Sequence, residues 1–169
     1  LDSFYAIFED AYRLGLADGS VAHQSWAPDE TIAVFRDGAP VEFGIASFGG
    51  VSSTFQGDIP SAATELTALF PFNGEATLAD GIVGTEIPSL QKAGENAPFT
   101  PAAVSIAHTS GGGALLFKAA YAMIAVPVKA VERIVRITVQ GLDDESLAGP
   151  VSIAVSQSPE ASANSGSSI

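Results

Sequence analysis

The chain has 169 residues, which is enough for one well-buried core and too few for two ordinary domains. Only 15% of the residues are charged, against about 25% in a typical domain, and the 17 Gly and 10 Pro predict many short strands joined by tight turns. The formal net charge of −12 argues against nucleic acid and anionic lipid as partners, because both need clustered Lys and Arg.

The chain has no cysteine, so neither a disulfide nor a thiolate metal site can hold the fold. No apolar run approaches the roughly 18 residues of a membrane span, so membrane attachment would need a lipid anchor outside this chain. The sequence begins at Leu1 with neither an initiator Met nor a signal pattern, which indicates a processed form or a fragment.

In the first half of the chain, the dipeptides Asp18-Gly19, Asp37-Gly38 and Asp80-Gly81 supply the positive φ that two-residue hairpin turns need. Between these turns, apolar and β-branched residues alternate with a period of two or run on without interruption. The strands predicted in this half are residues 4–8, 12–16, 21–26, 31–35, 41–47, 53–56, 64–72 and 82–87.

The second half continues the same pattern after a loop at 92–101 that is rich in Gly, Asn and Pro. Residues 115–126 contain the one stretch where helix competes with strand, because the Ala content favours helix whereas Pro127 and the alternation favour strand. We interpret it as strand. The strands predicted in this half are residues 103–107, 114–117, 121–128, 133–139 and 151–156.

Strands at intervals of 8 to 12 residues with turn signals between them are typical of an all-β sandwich or barrel. We predict a two-layer, mostly antiparallel β-sandwich over residues 1–156, followed at 157–169 by a Ser-, Ala- and Gly-rich linker or the start of a further segment. The residues predicted to be buried include Ile7, Val34, Leu69, Phe117, Ile124 and Ile137.

Candidate chemistry is sparse, and no catalytic, cofactor or metal site is predicted. The two histidines, His23 and His108, stand 85 positions apart, and a joint metal site would need them to meet a carboxylate in space. Ser105 near His108 lacks the Gly-x-Ser-x-Gly elbow of a hydrolase. Asp143-Asp144-Glu145 is interpreted as a solvated hairpin turn between 133–139 and 151–156, with adventitious calcium binding as the alternative.

Trp26 is the candidate binding residue, because a lone tryptophan can stack on a sugar ring. The alternative is a packing role at the edge of the sandwich. The phenylalanines lie at strand positions, where burial in the core contributes roughly 1.5–3 kcal/mol each.

Six short motifs occur in an order that resembles the N-terminal β-sandwich of fimbrillin-like proteins, the type V pilins, adhesins and surface lipoproteins of Gram-negative anaerobes. Pro28, Ala119 and the charged stretch from Lys129 to Glu132 depart from the family pattern. The motifs are Phe4 to Asp10, Trp26 to Phe35, Ala68 to Phe72, Ile87 to Gln91, Leu116 to Lys118 and Leu147 to Gly149.

The resemblance implies a transthyretin-like sandwich in an exported, non-enzymatic protein of the cell surface, outer membrane or fimbrium. The expected function is that of a pilus subunit or adhesin whose partners are other pilus subunits or a partner strand. The alternative is a non-polymerising surface lipoprotein domain that binds a host or bacterial glycan or protein, or acts as a scaffold. An enzyme is the remote third class.

The low count of basic residues predicts sheet edges that accept a partner strand. None of the 7 Lys and Arg falls in the predicted strands 31–35, 41–47 and 103–107. Edges without such charges invite strand addition through backbone hydrogen bonds. The alternative is that a further part of the same chain covers these edges.

Overall fold

The protein is seen here in a computed structural model that describes residues 2–8, 14–15, 21–22, 26–58, 65–90, 104–110, 114–120, 135–143, 146–155 and 161–163. Within these residues the secondary structure consists of 13 strands, with no helix, so the expected β-rich fold is confirmed. The strands are β1 (Asp2–Phe8), β2 (Leu14–Gly15), β3 (Val21–Ala22), β4 (Thr31–Arg36), β5 (Ala39–Ser47), β6 (Ser52–Gly57), β7 (Glu65–Phe70), β8 (Thr77–Ala79), β9 (Ile82–Ile87), β10 (Ser105–Ser110), β11 (Leu115–Ala119), β12 (Gly149–Ala154) and β13 (Ala161–Ala163).

Seven strands close into a barrel in the order β1-β11-β10-β7-β4-β5-β6. The barrel closes because β1 pairs on one side with β6, antiparallel, and on the other with β11, parallel. The predicted two-layer sandwich is therefore wrong. Alternation and turn spacing are the same in a sandwich and a barrel, and only the long-range pairing of the first strand separates the two.

The barrel interior is filled by apolar side chains rather than left as a channel. Phe43, Phe55 and Phe117 are its largest fully buried side chains, and Trp26 is only 2% exposed. Small residues such as Ala6, Ala68 and Ala107 make room for them, as is usual in narrow barrels. The interior cluster is Ala6, Trp26, Ile32, Val34, Phe43, Phe55, Leu66, Ala68, Phe70, Ala107, Leu115 and Phe117.

A second, antiparallel sheet in the order β13-β12-β9-β8 packs against the outside of the barrel. Residues of β4, β7 and β10 that point out of the barrel, among them Ala33, Leu69 and Ile106, form one cluster with Val83 of β9 and Ile153 of β12. The central barrel strands are therefore covered on both faces. This double burial explains why β4 and β7 are almost continuously apolar, a pattern that single-faced sheets lack.

The Asp-Gly dipeptides form the turns that the sequence predicts. Asp37 and Gly38 have φ of 50° and 82°, and Asp80 and Gly81 have φ of 50° and 72°, so both pairs have the positive φ of type I′ hairpin turns. The β2–β3 pairing likewise matches the predicted hairpin around Asp18-Gly19, which itself lies outside the described residues. Two strands, β8 and β13, were not predicted from the sequence.

Three of the six residues predicted to be buried, Val34, Leu69 and Phe117, are in the core, and Ile7 is half-buried. Ile137 is exposed, so its predicted burial is wrong. Residues 135–139 of the predicted strand 133–139 form no strand, and the predicted hairpin with 151–156 is therefore wrong as well. Ile124 and most of the predicted strand 121–128 lie outside the described residues.

Candidate functional site

Residues 135–140, hereafter the exposed segment, have the sequence of a strand but no strand partner in the described structure. Val135, Ile137 and Val139 alternate with Arg136, Thr138 and Gln140, the period-two pattern of a half-buried strand. The apolar residues of the segment nevertheless remain 86%, 56% and 58% exposed, in chain order. A β-forming sequence with its apolar face in solvent is a ready contact surface for another polypeptide.

The exposed apolar surface continues beyond this segment toward β12. Leu142 is 98% exposed and Leu147 is half exposed, so this stretch adds two large apolar side chains to the exposed surface. The Ser146 hydroxyl donates to the Ala148 carbonyl oxygen at 2.6 Å and so fixes a tight bend just before β12 begins. Thus residues 135–148 present apolar side chains on both sides of the acidic stretch that includes Asp143.

Positive charge is concentrated beside the exposed segment. Lys129, Arg133 and Arg136 are three of the 7 basic residues in the chain, and they fall within eight positions together with one acid, Glu132. The rest of the chain then holds four basic and 18 acidic residues. Basic residues therefore precede and enter the exposed segment, whereas the acidic residues Asp143, Asp144 and Glu145 follow it.

The edges of the second sheet differ in how well they are covered. At one edge, the Leu78 amide of β8 donates to the Gly38 carbonyl oxygen at 3.0 Å, so the β4–β5 turn lies against this strand. At the other edge, β13 pairs with only three of the six residues of β12. Because every barrel strand has two neighbours, the strand addition predicted at 31–35, 41–47 and 103–107 is wrong for the parts described in β4, β5 and β10. The β12 edge is the weakly covered one.

Trp26 lies inside the barrel and is only 2% exposed. Its indole Nε1–H donates to the Ala6 carbonyl oxygen at 3.3 Å, and its ring makes edge-to-face contacts with Phe55, Phe70 and Phe117 at centroid distances of 4.8, 5.1 and 5.3 Å. No face of the ring is open to a sugar. Its role is packing, in a barrel interior rather than at the predicted sandwich edge.

Glu30 is half-buried and forms a carboxylate contact just after Trp26. Its Oε2 accepts a hydrogen bond from the Ala27 amide at 2.7 Å, and its own amide donates to the Ala27 carbonyl oxygen at 3.2 Å. Burial raises the pKa of the Glu30 carboxyl, and the neighbouring Asp29 charge adds to the rise, against the opposing effect of the Ala27 hydrogen bond. The contact closes the turn that leads into β4.

His108 takes part in a cross-strand polar cluster rather than a metal site. Its Nδ1 lies 3.1 Å from the Thr67 hydroxyl on the paired strand β7, and its Nε2 lies 3.3 Å from a Glu65 carboxylate oxygen. Thr67 is buried and Glu65 is exposed, so the cluster runs from the covered side of β7 to its surface. Among the residues the structure describes, no group of three or more His, Asp and Glu side chains could hold a metal ion. His23 lies outside them.

A shallow groove of about 340 Å³ lies between the end of β7 and strand β9. Phe72 offers part of an aromatic ring there, the Asn73 amide donates to the Thr85 hydroxyl at 3.1 Å, and the Glu86 carboxylate is exposed at the rim. No motif in the sequence predicts this groove, because its polar residues come from the loop after β7 and from β9, which only the fold brings together. Its lining is completed by Pro71, Pro88 and Val104.

No helix in the described part of the chain is long and apolar enough to cross a membrane. Comparison of the chain with protein-family models, with curated proteins and with solved structures finds no match in any of the three. The case for a function therefore depends on the geometry of the exposed segment and of the β12 edge.

Proposed function

We propose that this chain is a structural or adhesive protein of the cell surface, a pilus subunit or adhesin domain that works through strand-level contact with another polypeptide. The observation that carries the proposal is the exposed segment: six residues with strand-forming composition, no strand partner in the described structure and their apolar face in solvent. The motif order that resembles fimbrillin-like proteins supports the same class of function.

The physical basis is the addition of a strand to a sheet. An extended segment that joins a sheet edge gains main-chain hydrogen bonds along its length, and its alternate side chains enter the partner's apolar layer. Val135, Ile137 and Val139 supply one such apolar row. Burying this row against a partner would contribute roughly 25 cal/mol of binding free energy per Å² of apolar surface. The segment does not gain this free energy while it stays in solvent.

The first test has two parts. One locates the protein on cells, and the other removes one backbone N–H donor from the exposed segment. Antibody labelling of intact cells that make the protein is expected to detect it at the surface or in fibres. Thr138→Pro removes an N–H group from the middle of the segment and is expected to abolish fibre formation or adhesion. Leu90→Pro, at an exposed position after β9 and outside residues 135–148, is the matched control and is expected to leave it unchanged. Absence of surface labelling would contradict the proposal.

A second candidate function is glycan binding by a non-polymerising surface lipoprotein, and the groove at Phe72 favours it. An aromatic ring beside an amide, a hydroxyl and a carboxylate is the kind of lining that sugar sites use. Glu86→Gln is expected to weaken binding to a glycan panel, with Glu75→Gln, exposed and outside the groove, as the matched control. Equal binding by both variants would remove this candidate.

A further inference from the structure

The groove between the end of β7 and strand β9 has firm apolar walls. Phe72 forms one of them, and the rings of Pro71 and Pro88 line the groove with it. The Phe72 amide donates to the Thr31 carbonyl oxygen at 3.0 Å, and its half-buried side chain packs against the apolar cluster between the barrel and the second sheet. Its ring is therefore held in place before any ligand arrives, and an aliphatic stem can lie along these walls.

The charged group in the lining of this groove is the Glu86 carboxylate. The Asn73 side chain is engaged in the wall itself, because its Oδ1 accepts from the Glu75 amide at 2.9 Å and its Nδ2 donates to the Thr85 hydroxyl at 3.1 Å. Glu86 is exposed, and no Lys or Arg pairs with it among the residues that the structure describes. The strongest group left for a ligand is therefore a hydrogen-bond acceptor with a negative charge.

This lining selects a cation over an anion or a sugar. An aromatic ring beside a carboxylate stabilises a guanidinium or ammonium group, through cation–π attraction and a charge-assisted hydrogen bond. An anion meets no basic side chain in the lining. A sugar ring needs several donors and acceptors together, whereas Asn73 and Thr85 already bond to each other. The formal net charge of −12 further favours a cationic ligand, because it draws positive charge to the surface.

We propose that this groove binds a single arginine side chain of a partner polypeptide, with the stem along the proline and Phe72 rings and the guanidinium at Glu86. Arginine fits better than lysine because its planar head stacks on a ring and binds a carboxylate through two N–H groups. The volume of about 340 Å³ is at the small end of ligand sites, which suits one side chain. The inference goes beyond the strand contact of the proposed function, since the groove and the exposed segment share no residue.

A short peptide and its neutral isostere test the role of charge. N-acetyl-Gly-Arg-Gly-amide would be titrated into the ¹⁵N-labelled full chain, and the same peptide with citrulline in place of arginine is the matched control ligand. Two-dimensional NMR is expected to show saturable shifts of the Asn73 side-chain amide and of the Thr85 and Glu86 backbone amides. The arginine peptide is expected to bind at least about threefold more tightly than the citrulline peptide, and its affinity is expected to fall as salt rises.

Glu86→Gln isolates the carboxylate without disturbing the fold, because Glu86 is exposed. It is expected to weaken binding of the arginine peptide at least about threefold and to leave binding of the citrulline peptide within about 1.5-fold. Glu42→Gln makes the same change in net charge at an exposed position on β5 outside the groove, and is expected to change both affinities by less than about 1.5-fold. Equal weakening by the two variants would overturn the inference, because only net charge would then attract the peptide.

Two further results would overturn it. One is equal affinity, or no detectable binding, for the arginine and citrulline peptides. The other is a set of shifts at these amides caused by methyl glucoside and not by the arginine peptide, which would assign the groove to the glycan-binding candidate. Neither result bears on the strand contact, whose own test is Thr138→Pro, so failure of this inference and failure of the proposed function are distinguishable.

Discussion

The strands of the barrel and the β12 edge of the second sheet are similar in composition but differ in how completely they are paired. In the barrel every strand has two neighbours, and its apolar row points into an interior filled by side chains such as Phe43 and Phe55. At the β12 end, a three-residue strand covers half of a six-residue edge. Nearby, an apolar row of three β-branched residues remains in solvent.

This contrast distinguishes the region that stabilises the fold from the region that can contact another polypeptide. Closure removes the edges that would otherwise accept a foreign strand, so the barrel supplies stability and little opportunity for association. The exposed segment and the weakly covered edge of β12 supply that opportunity, and the exposed segment contributes little to the core, whereas β12 itself is anchored in it by Val151 and Ile153. Substitutions in the two regions should therefore affect different measurements.

The largest effect is expected for Phe117→Ala in the barrel. Phe117 is fully buried and meets the Trp26 ring edge-to-face, so its truncation leaves a cavity worth about 3–5 kcal/mol of unfolding free energy. Leu116→Ala, on the neighbouring exposed position of β11, is the control, with an expected change within about 0.5 kcal/mol. Denaturant unfolding measures both changes. A similar loss of unfolding free energy in the two variants would contradict the assignment of Phe117 to the barrel interior and of Leu116 to its outside.

A smaller effect is expected where the barrel has no room for one more carbon atom. A Cβ at Gly57 would fall on the ring of Phe43, which is fully buried and cannot move aside, so Gly57→Ala is expected to lose about 1–3 kcal/mol. Gly44→Ala on β5 meets open space and is expected to be neutral or slightly stabilising. Thermal unfolding of the pair tests this. Equal stabilities would mean that the interior is looser than the structure shows.

Local patterns in the sequence were enough for most strands and turns. Thr31–Arg36 and Ile82–Ile87 match the predicted strands closely because each is a β-branched run beside an Asp-Gly turn. The near-continuous burial of β4 and β7 also has a sequence cause, since both faces of these strands need apolar residues. Local chemistry decides such elements, so they can be predicted without the fold.

Long-range pairing could not be predicted in the same way. Nothing local indicates that Asp2–Phe8 pairs in parallel with Leu115–Ala119, yet this pairing turns a sandwich into a barrel. The period-two pattern at 135–140 predicts strand and burial, but whether a strand finds a partner depends on which edges other segments have taken. The exposed segment is thus the place where local pattern and global structure disagree, and such disagreement is typical of functional sites.

A modest, pH-dependent effect is expected at Glu30, whose carboxylate is half-buried in the turn that leads into β4. Its pKa in the folded state is raised above the usual value of 4.5, mainly by burial. The stabilising contribution of the protonated form is complete below the unfolded pKa and is lost as pH rises through the folded pKa. Glu30→Gln should therefore match the original chain at about pH 3.5 and exceed its stability at about pH 7. A variant that is less stable at neutral pH would contradict this.

The smallest effect on stability is expected for Ile137→Ser in the exposed segment. More than half of this side chain already lies in solvent and residues 135–140 belong to no strand, so the free energy of unfolding should change by less than about 0.5 kcal/mol. Fibre formation or adhesion should nevertheless weaken, because serine removes the middle member of the apolar row that would enter a partner's apolar layer. Parallel unfolding and adhesion measurements separate the two effects. If stability falls by more than about 1 kcal/mol, the segment packs against its own chain, and the division between a closed barrel and an open contact region fails.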